Sequence, residues 1–405
     1  MNSTSDKVRE LYQRYPYPPR ESGMSIDPYI DYILSFSARE RQHSPTFLDA
    51  GCGTGASLLG AALLHKELQV FGCDFNPEGL AAIRHDVEEL GLKNVTLKQV
   101  DLLDFPHDFG PERGFDVIFC TGVIHHTPDP LAILKNLASR LAPQGVLRLM
   151  VYARKGRADL YRFADTVKSV MRPQQSLEDR LFMAKSLMRE LEAAGQLKGY
   201  PPPSLRGILS DSNHIGMEEF ADRFVHPHDV PYDLPTLREH IEASGLKLFR
   251  WFEHRSWELS ELLPEEAEFP DDRWERYAVV EELFDRDQYD VYLVRPEFEP
   301  KEVSFDLDLP LRLNPQARFT ETTARGIGET QTLQLLFEPS EEISVQQGYI
   351  CRALSRRTAS LRELLQEWNF ELDKHWFESA RYLFERDYLF NPHRNSNTPT
   401  AEHPP

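Results

Sequence analysis

One carboxylate and three glycines lie close together in the first part of the chain. Asp49 ends a short apolar segment, and Gly51, Gly53 and Gly55 follow it directly before an apolar run that predicts a helix. Closely spaced glycines between a strand and a helix let the backbone approach a bound ligand. The negative charge of Asp49 would repel a pyrophosphate at this turn and would stabilise a ligand with cationic groups. The pattern therefore favours a cationic ligand over a dinucleotide.

The next two predicted strands also end in carboxylates, Asp74 and Asp101. In an open α/β fold the carboxyl ends of parallel strands meet at one edge, where an acid can accept hydrogen bonds from ribose hydroxyls. Phe75 and Leu102, each directly after its acid, are placed to pack on an adenine ring. A single acid could equally be a solvated strand end or a helix cap, whereas three acids in register favour a nucleoside site.

Further strands are predicted at 115–120, 145–152, 246–252 and 288–295, which gives seven in total. The run over 45–152 resembles class I S-adenosylmethionine-dependent methyltransferases. The resemblance implies an α/β, Rossmann-like seven-stranded sheet with S-adenosylmethionine as cofactor. It implies that Asp49 holds the methionine amino group, that Asp74 binds the ribose, and that Asp101 binds the adenine. The predicted cofactor site comprises Asp49, Gly51, Gly53, Asp74, Phe75, Asp101, Leu102 and Cys120.

Two histidines end the segment after the fourth strand. His125 and His126 lie where the cofactor methyl group should point, and histidine titrates near neutral pH, so both are candidate catalytic bases. An alternative is that one imidazole stacks on the cofactor and the other caps the helix that begins near Pro130.

Two segments are predicted to form the acceptor pocket. An aromatic and proline-rich stretch near the N-terminus suits a lid, from which Tyr15 and Tyr17 are candidate substrate contacts, although it could also only cover the sheet. After a helical insertion, His226 and Tyr232 are the second pair of candidates. His226 and His228 flank a proline, but no third ligand has suitable spacing, so no metal is expected.

Composition limits the class of protein. The chain has 405 residues, 40% of them hydrophobic and 27% charged, which predicts a soluble protein with two domains. The net charge of -19 argues against nucleic acid or an anionic membrane as partner. The four cysteines lack metal-ligand spacing and, with no signal peptide or membrane span visible, predict a cytoplasmic protein.

The chain is expected to divide into four parts. These are a lid at 1–25, a methyltransferase domain at 26–297 with a helical insertion at about 155–230, a small α+β domain at 303–390 and a disordered tail at 391–405. The small domain weakly resembles winged-helix modules, with strands at 305–311 and 332–337 before helices at 343–354, 360–368 and 372–384. Because its third helix has few cations and many aromatic residues, it predicts protein docking rather than DNA binding.

The expected activity is methyl transfer from S-adenosylmethionine to an oxygen, nitrogen or carbon atom of a small aromatic or natural-product-like acceptor. A second hypothesis is a protein or peptide side chain as acceptor, recognised by the C-terminal domain. A third is a regulatory protein that binds the cofactor without turnover.

Overall fold

The chain folds into two compact units. A computed structural model describes residues 4–19, 29–37, 43–171, 176–195, 217–261, 268–324, 328–335 and 340–392. The first unit comprises 1–28, 45–252 and 257–296, and the second comprises 29–44, 253–256 and 297–405.

Strands and helices alternate through most of the first unit. The strands of the described residues are β1 Thr46–Ala50, β2 Gln69–Asp74, β3 Val95–Gln99, β4 Phe115–Thr121, β5 Leu141–Tyr152, β6 Lys247–Trp251, β7 Gln288–Val294, β8 Arg312–Leu313, β9 Ala317–Ala324, β10 Gly328–Leu335, β11 Glu341–Glu342 and β12 Leu389–Phe390. The helices are α1 Thr4–Arg14, α2 Ile30–Leu34, α3 Ala56–Leu64, α4 Pro77–Glu89, α5 Pro130–Arg140, α6 Ala158–Val170, α7 Leu177–Ala193, α8 Met217–Phe224, α9 Leu234–Ala243, α10 Arg273–Leu283, α11 Val345–Leu354, α12 Leu361–Trp368 and α13 Lys374–Glu385.

Seven strands form the sheet of the first unit, in the order β3-β2-β1-β4-β5-β7-β6. The strands β1 to β5 are parallel, and β7 is antiparallel to both of its neighbours. The predicted Rossmann-like sheet with seven strands is confirmed. Because the strand order reverses at β1, a crevice opens at the carboxyl ends of β1 and β4, where such folds bind ligands.

Two helices begin directly at this crevice because capping residues follow the strands. Asn76 accepts a hydrogen bond from the backbone N–H of Glu78, and Pro77 begins α4. Asp129 accepts from the N–H of Ala132 at the start of α5. Both caps satisfy N–H groups that a helix start leaves without partners.

The helical insertion has a core of its own. Apolar residues of α1, α6, α7 and α8 pack together, including Leu11, Phe163, Met188 and Phe224. Phe182 of α7 is 71% exposed and does not belong to this core. None of the described helices is long and apolar enough to cross a membrane.

The second unit combines small sheets with three helices. The antiparallel strands β9, β10 and β11 precede α11, α12 and α13, and β8 pairs with β12. The three predicted helices are confirmed within two residues at each end. The strand predicted at 305–311 is wrong, because 301–310 contains none and the hairpin of β9 and β10 lies further along. The winged-helix resemblance stays a prediction.

The unit boundaries differ from the predicted ones. Residues 29–44 and 253–256 group with the C-terminal residues rather than with the methyltransferase sheet. Side-chain pairing explains this, since the Tyr32 hydroxyl donates to Asp387 Oδ2 over 2.6 Å and Arg312 pairs with Asp31 over 3.1 Å. Such pairs between distant segments leave no sequence pattern. The predicted tail lies outside the described residues from 393 onwards.

Candidate active site

A cavity of about 300 Å³ opens at the carboxyl ends of β1, β2 and β4. It is lined by most of the predicted cofactor residues, namely Asp49, Gly51, Gly53, Asp74, Phe75, Asp101 and Leu102. Cys120 does not line it: its thiol is fully buried in the core, and its neighbour Thr121 faces the cavity instead. Side chains alternate between the two faces of a strand, which explains why Thr121 rather than Cys120 lines the cavity.

The glycine turn needs its glycines. Gly51, Gly53 and Gly55 have φ values of 80°, 52° and 87°, in the left-handed region that other residues rarely adopt. A Cβ atom on Gly53 would lie 2.7 Å from the carbonyl oxygen of Tyr17. The turn therefore approaches the N-terminal segment as closely as a backbone without side chains allows.

Asp49 is a buried acid in the cavity wall. Its side chain is 6% exposed, and burial together with the nearby charge of Asp74 raises the pKa of Asp49 to about 7. A cationic ligand would stabilise the ionised form of Asp49 and so lower its pKa again. The Asp49 carboxylate can accept hydrogen bonds from an ammonium group. The site would therefore hold S-adenosylmethionine with the amino group of its methionine part at Asp49.

The Asp74 carboxylate accepts hydrogen bonds from the glycine turn and can accept more from a ligand. One carboxylate oxygen accepts from Gly53 N over 2.9 Å, and the other accepts from Asn76 N over 2.8 Å. A carboxylate has about four lone-pair positions, so Asp74 can still accept a hydrogen bond from a ribose hydroxyl. Asp101 likewise caps a short turn by accepting from Leu103 N over 3.0 Å and lies at the cavity with Leu102 and Phe75.

The N-terminal segment forms one wall of the cavity. Tyr12, Pro16, Tyr17 and Pro18 line it. The segment is held on the glycine turn because Thr54 donates to the carbonyl oxygen of Pro18 over 3.0 Å. Of the two tyrosines predicted as substrate contacts, Tyr17 lines the cavity.

Tyr15 does not line the cavity, and its contact with the substrate stays a prediction. Its ring packs against the core of the helical insertion instead. Leu11, which is four residues before Tyr15, belongs to the same core.

The two adjacent histidines have different surroundings. His126 lines the cavity, and its Nδ1 donates to the carbonyl oxygen of His228 over 3.3 Å and lies 3.8 Å from Asp229 Oδ1. His125 does not line the cavity and is fully buried, with its ring centroid 4.3 Å from that of Tyr152. Burial, and then the proximity of His126, lowers the pKa of His125 well below its usual value. Of the two predicted bases, only His126 is therefore in position.

The second pair of predicted substrate residues, His226 and Tyr232, lies in two different places. His226 is buried one layer behind the cavity, with its ring centroid 4.0 Å from that of His126. Tyr232 is buried in the sheet core, where its hydroxyl lies 2.9 Å from His240 Nδ1 and its N–H donates to the carbonyl oxygen of Tyr152. Tyr232 does not line the cavity, and its contact with the substrate stays a prediction.

Three polar side chains at this end of the site were not predicted. Tyr12 and Tyr152 line the cavity, and the Tyr12 hydroxyl donates to Oδ1 of the buried Asp222 over 2.8 Å. Tyr152 ends β5, and the end of a central parallel strand is a signal that sequence analysis could have used. Nothing in the sequence pairs Tyr12 with Asp222, which lies 210 positions further along the chain.

Potential metal-ligating atoms also meet here. One such atom from each of His126, Asp222 and His226 lies within 4.8 Å of the others, and His125, His126 and Asp229 form a similar group. The expectation that the protein binds no metal stays a prediction.

Residues 42–195 match the methyltransferase-domain family Methyltransf_31. The chain is 29% identical over 297 residues to an uncharacterized protein of Synechococcus, covering 70% of this chain and 69% of that protein. It is 36% identical over 102 residues to the ubiquinone biosynthesis O-methyltransferase of Actinobacillus pleuropneumoniae, covering 25% of this chain and 42% of the relative's length. PKMT2 from Rickettsia typhi has a similar fold, with a TM-score of 0.67 at 16% identity over 94% of this chain and 77% of that one.

The fold, the acids at the strand ends and the match over residues 42–195 define a methyltransferase domain with a Rossmann-like sheet. This domain is that of an S-adenosylmethionine-dependent methyltransferase.

Proposed function

We propose that the protein methylates a hydroxyl oxygen of a small aromatic acceptor, with His126 as the general base. The orientation of the His126 ring carries this proposal. Because a carbonyl oxygen can only accept, the bond to His228 assigns the proton of neutral His126 to Nδ1. The lone pair is then on Nε2, which can take the proton of a hydroxyl group in the cavity.

When bound, S-adenosylmethionine supplies an electrophilic methyl group. Asp49 would orient its methionine end, Asp74 its ribose, and Asp101 with Phe75 its adenine. His126 and Asp229 then act at the opposite end, where Asp229 Oδ1 lies near Nδ1 and stabilises the imidazolium that forms on proton uptake. Positioning of the two reactants supplies most of the remaining rate enhancement.

The cavity surface favours a flat acceptor without negative charge. Tyr12, Tyr17 and Tyr152 offer ring faces for stacking. Asp49, Asp74 and Asp101 line it, whereas no lysine or arginine among the described residues does. The similarity to ubiquinone biosynthesis O-methyltransferases supports oxygen as the accepting atom.

Incubation of the enzyme with methyl-labelled cofactor and an extract of its own organism tests this proposal. We expect the label in a low-mass product whose methyl resonance in NMR spectra is that of an aryl ether. An N-methyl or C-methyl resonance in that product would contradict it.

A protein or peptide acceptor is the second candidate. Its support is the similarity of fold to PKMT2, which extends over nearly the whole chain, and the exposed apolar side chains of the second unit. Tyr349, Phe370, Leu372 and Tyr382 are each more than a third exposed there, and exposed apolar patches often mark interfaces. Label that precipitates with the protein fraction would favour this candidate, and label in neither fraction would favour a regulatory protein.

A further inference from the structure

Two buried polar atoms behind the cavity wall lack a partner among the described residues. They are Oδ2 of Asp222 and Nε2 of His226, and both side chains are 2% exposed. The other oxygen of Asp222 accepts from the Tyr12 hydroxyl, and Nδ1 of His226 accepts from the N–H of His228 over 3.1 Å. A buried donor or acceptor without a partner is unfavourable, so the two atoms point to a bound group.

The hydrogen bond from His228 decides what His226 offers. An Nδ1 atom that accepts a backbone N–H carries no proton, so the proton of the neutral ring is on Nε2. Burial lowers the pKa of His226 well below its usual value, which keeps the ring neutral. The pair therefore presents one donor, Nε2–H, and one carboxylate acceptor, Oδ2.

This combination selects the chemistry of its ligand. A hydroxyl group donates to Oδ2 and accepts from Nε2–H at once. An ammonium group has no lone pair for Nε2–H, a carboxylate is repelled by Asp222, and a metal ion needs a lone pair on Nε2 that this tautomer lacks. One potential ligand atom of Asp222 and one of His226 lie within 4.8 Å of each other. A single oxygen that makes two hydrogen bonds of about 2.8 Å spans such a separation.

The pair is adjacent to the proposed reaction site. Tyr12 and His126 line the cavity, and they contact Asp222 and His226 respectively. We propose that Asp222 and His226 form a subsite for a neutral hydroxyl group of the methyl acceptor. The inference rests on the proposed O-methylation. It concerns a hydroxyl group of the acceptor other than the one that loses its proton to His126, because a hydroxyl that donates to Asp222 has no proton left for His126.

Phenol, benzylamine and benzoate serve as probes of this subsite, titrated by calorimetry or ligand-observed NMR into the protein saturated with S-adenosylhomocysteine. Phenol should bind at least about tenfold more tightly than the other two. Asp222→Asn keeps the shape but replaces an acceptor oxygen by a donor, and His226→Phe keeps a ring without the donor. Each should weaken phenol binding about tenfold or more, since hydrogen bonds to charged groups are strong.

Asp165→Asn, on an exposed carboxylate of α6 that pairs with Lys168, is the matched control and should change nothing. Affinity for S-adenosylhomocysteine within about twofold of the wild type shows that a variant is folded. If either Asp222→Asn or His226→Phe does not meet this criterion, phenol binding to the other variant tests the subsite. Unchanged phenol affinity in a folded variant overturns the subsite and leaves O-methylation standing, whereas an N-methylated product contradicts the function and leaves phenol binding unaffected. Stoichiometric Zn²⁺ binding that Asp222→Asn and His226→Phe abolish would also overturn it.

Discussion

The backbone N–H of Gly53 donates a hydrogen bond to Oδ2 of Asp74 over 2.9 Å. This bond joins the turn after β1 to the carboxyl end of β2. The same carboxylate also accepts from Asn76 at the start of α4. One buried acid thus fixes the shape of the cofactor turn and keeps lone pairs free for the ligand.

Asp74→Ala should weaken binding of S-adenosylhomocysteine by about 10- to 100-fold, because charge-assisted hydrogen bonds worth about 1.5–3 kcal/mol are lost. Calorimetric titration measures the effect. Asp108→Ala, at an exposed carboxylate, is the control and should leave the affinity unchanged. An Asp74→Ala protein that binds as tightly as the wild type would remove this residue from the site.

Gly53→Ala should lower both the melting temperature and the cofactor affinity. The added Cβ meets the Tyr17 carbonyl oxygen, so the N-terminal segment must move away from the turn. Gly91→Ala is a matched control, since Gly91 has a φ of 64° but a Cβ added there would meet no atom within 4 Å. Equal loss of affinity in the two variants would show that the contact with Tyr17 is unimportant.

Cofactor affinity should rise with pH between about 5.5 and 7. Ligand-free Asp49 has a pKa of about 7, and a cationic ligand favours its ionised form, so binding at lower pH must first release a proton. We expect a gain of about tenfold over this range, with a decline above about pH 8 as an amino group of the ligand loses its proton. Calorimetry in several buffers measures both affinity and proton release.

The Asp49→Asn protein should bind the cofactor more weakly, and its affinity should not increase as the pH is raised from about 5.5 to 7. A rise that persists in this variant would assign the proton to another group.

Much of the cofactor site could be predicted from sequence because it follows from strand ends. Asp49, Asp74 and Asp101 are at corresponding ends of parallel strands, and parallel pairing brings such ends together whatever the rest of the chain does. The sequence pattern of strands that end in acids therefore predicts which residues meet at this edge of the sheet.

The acceptor end could not be predicted in this way. His125 and His126 are equivalent in the sequence, but the short turn Ile124–His126 directs one ring into the core and the other into the cavity. The contact between Tyr12 and Asp222 depends on how the helical insertion packs, and no local periodicity records it.

Turnover in His125 and His126 variants tests the central claim most directly. The measurement is the rate of label transfer to the low-mass acceptor at saturating cofactor, with cofactor affinity determined separately. His126→Gln should lower the rate by about 10²–10⁴-fold and leave cofactor affinity nearly unchanged, as expected on loss of a general base. His125→Gln should affect mainly stability, because its ring is buried away from the cavity. A His126→Gln enzyme that keeps the wild-type rate would contradict the account.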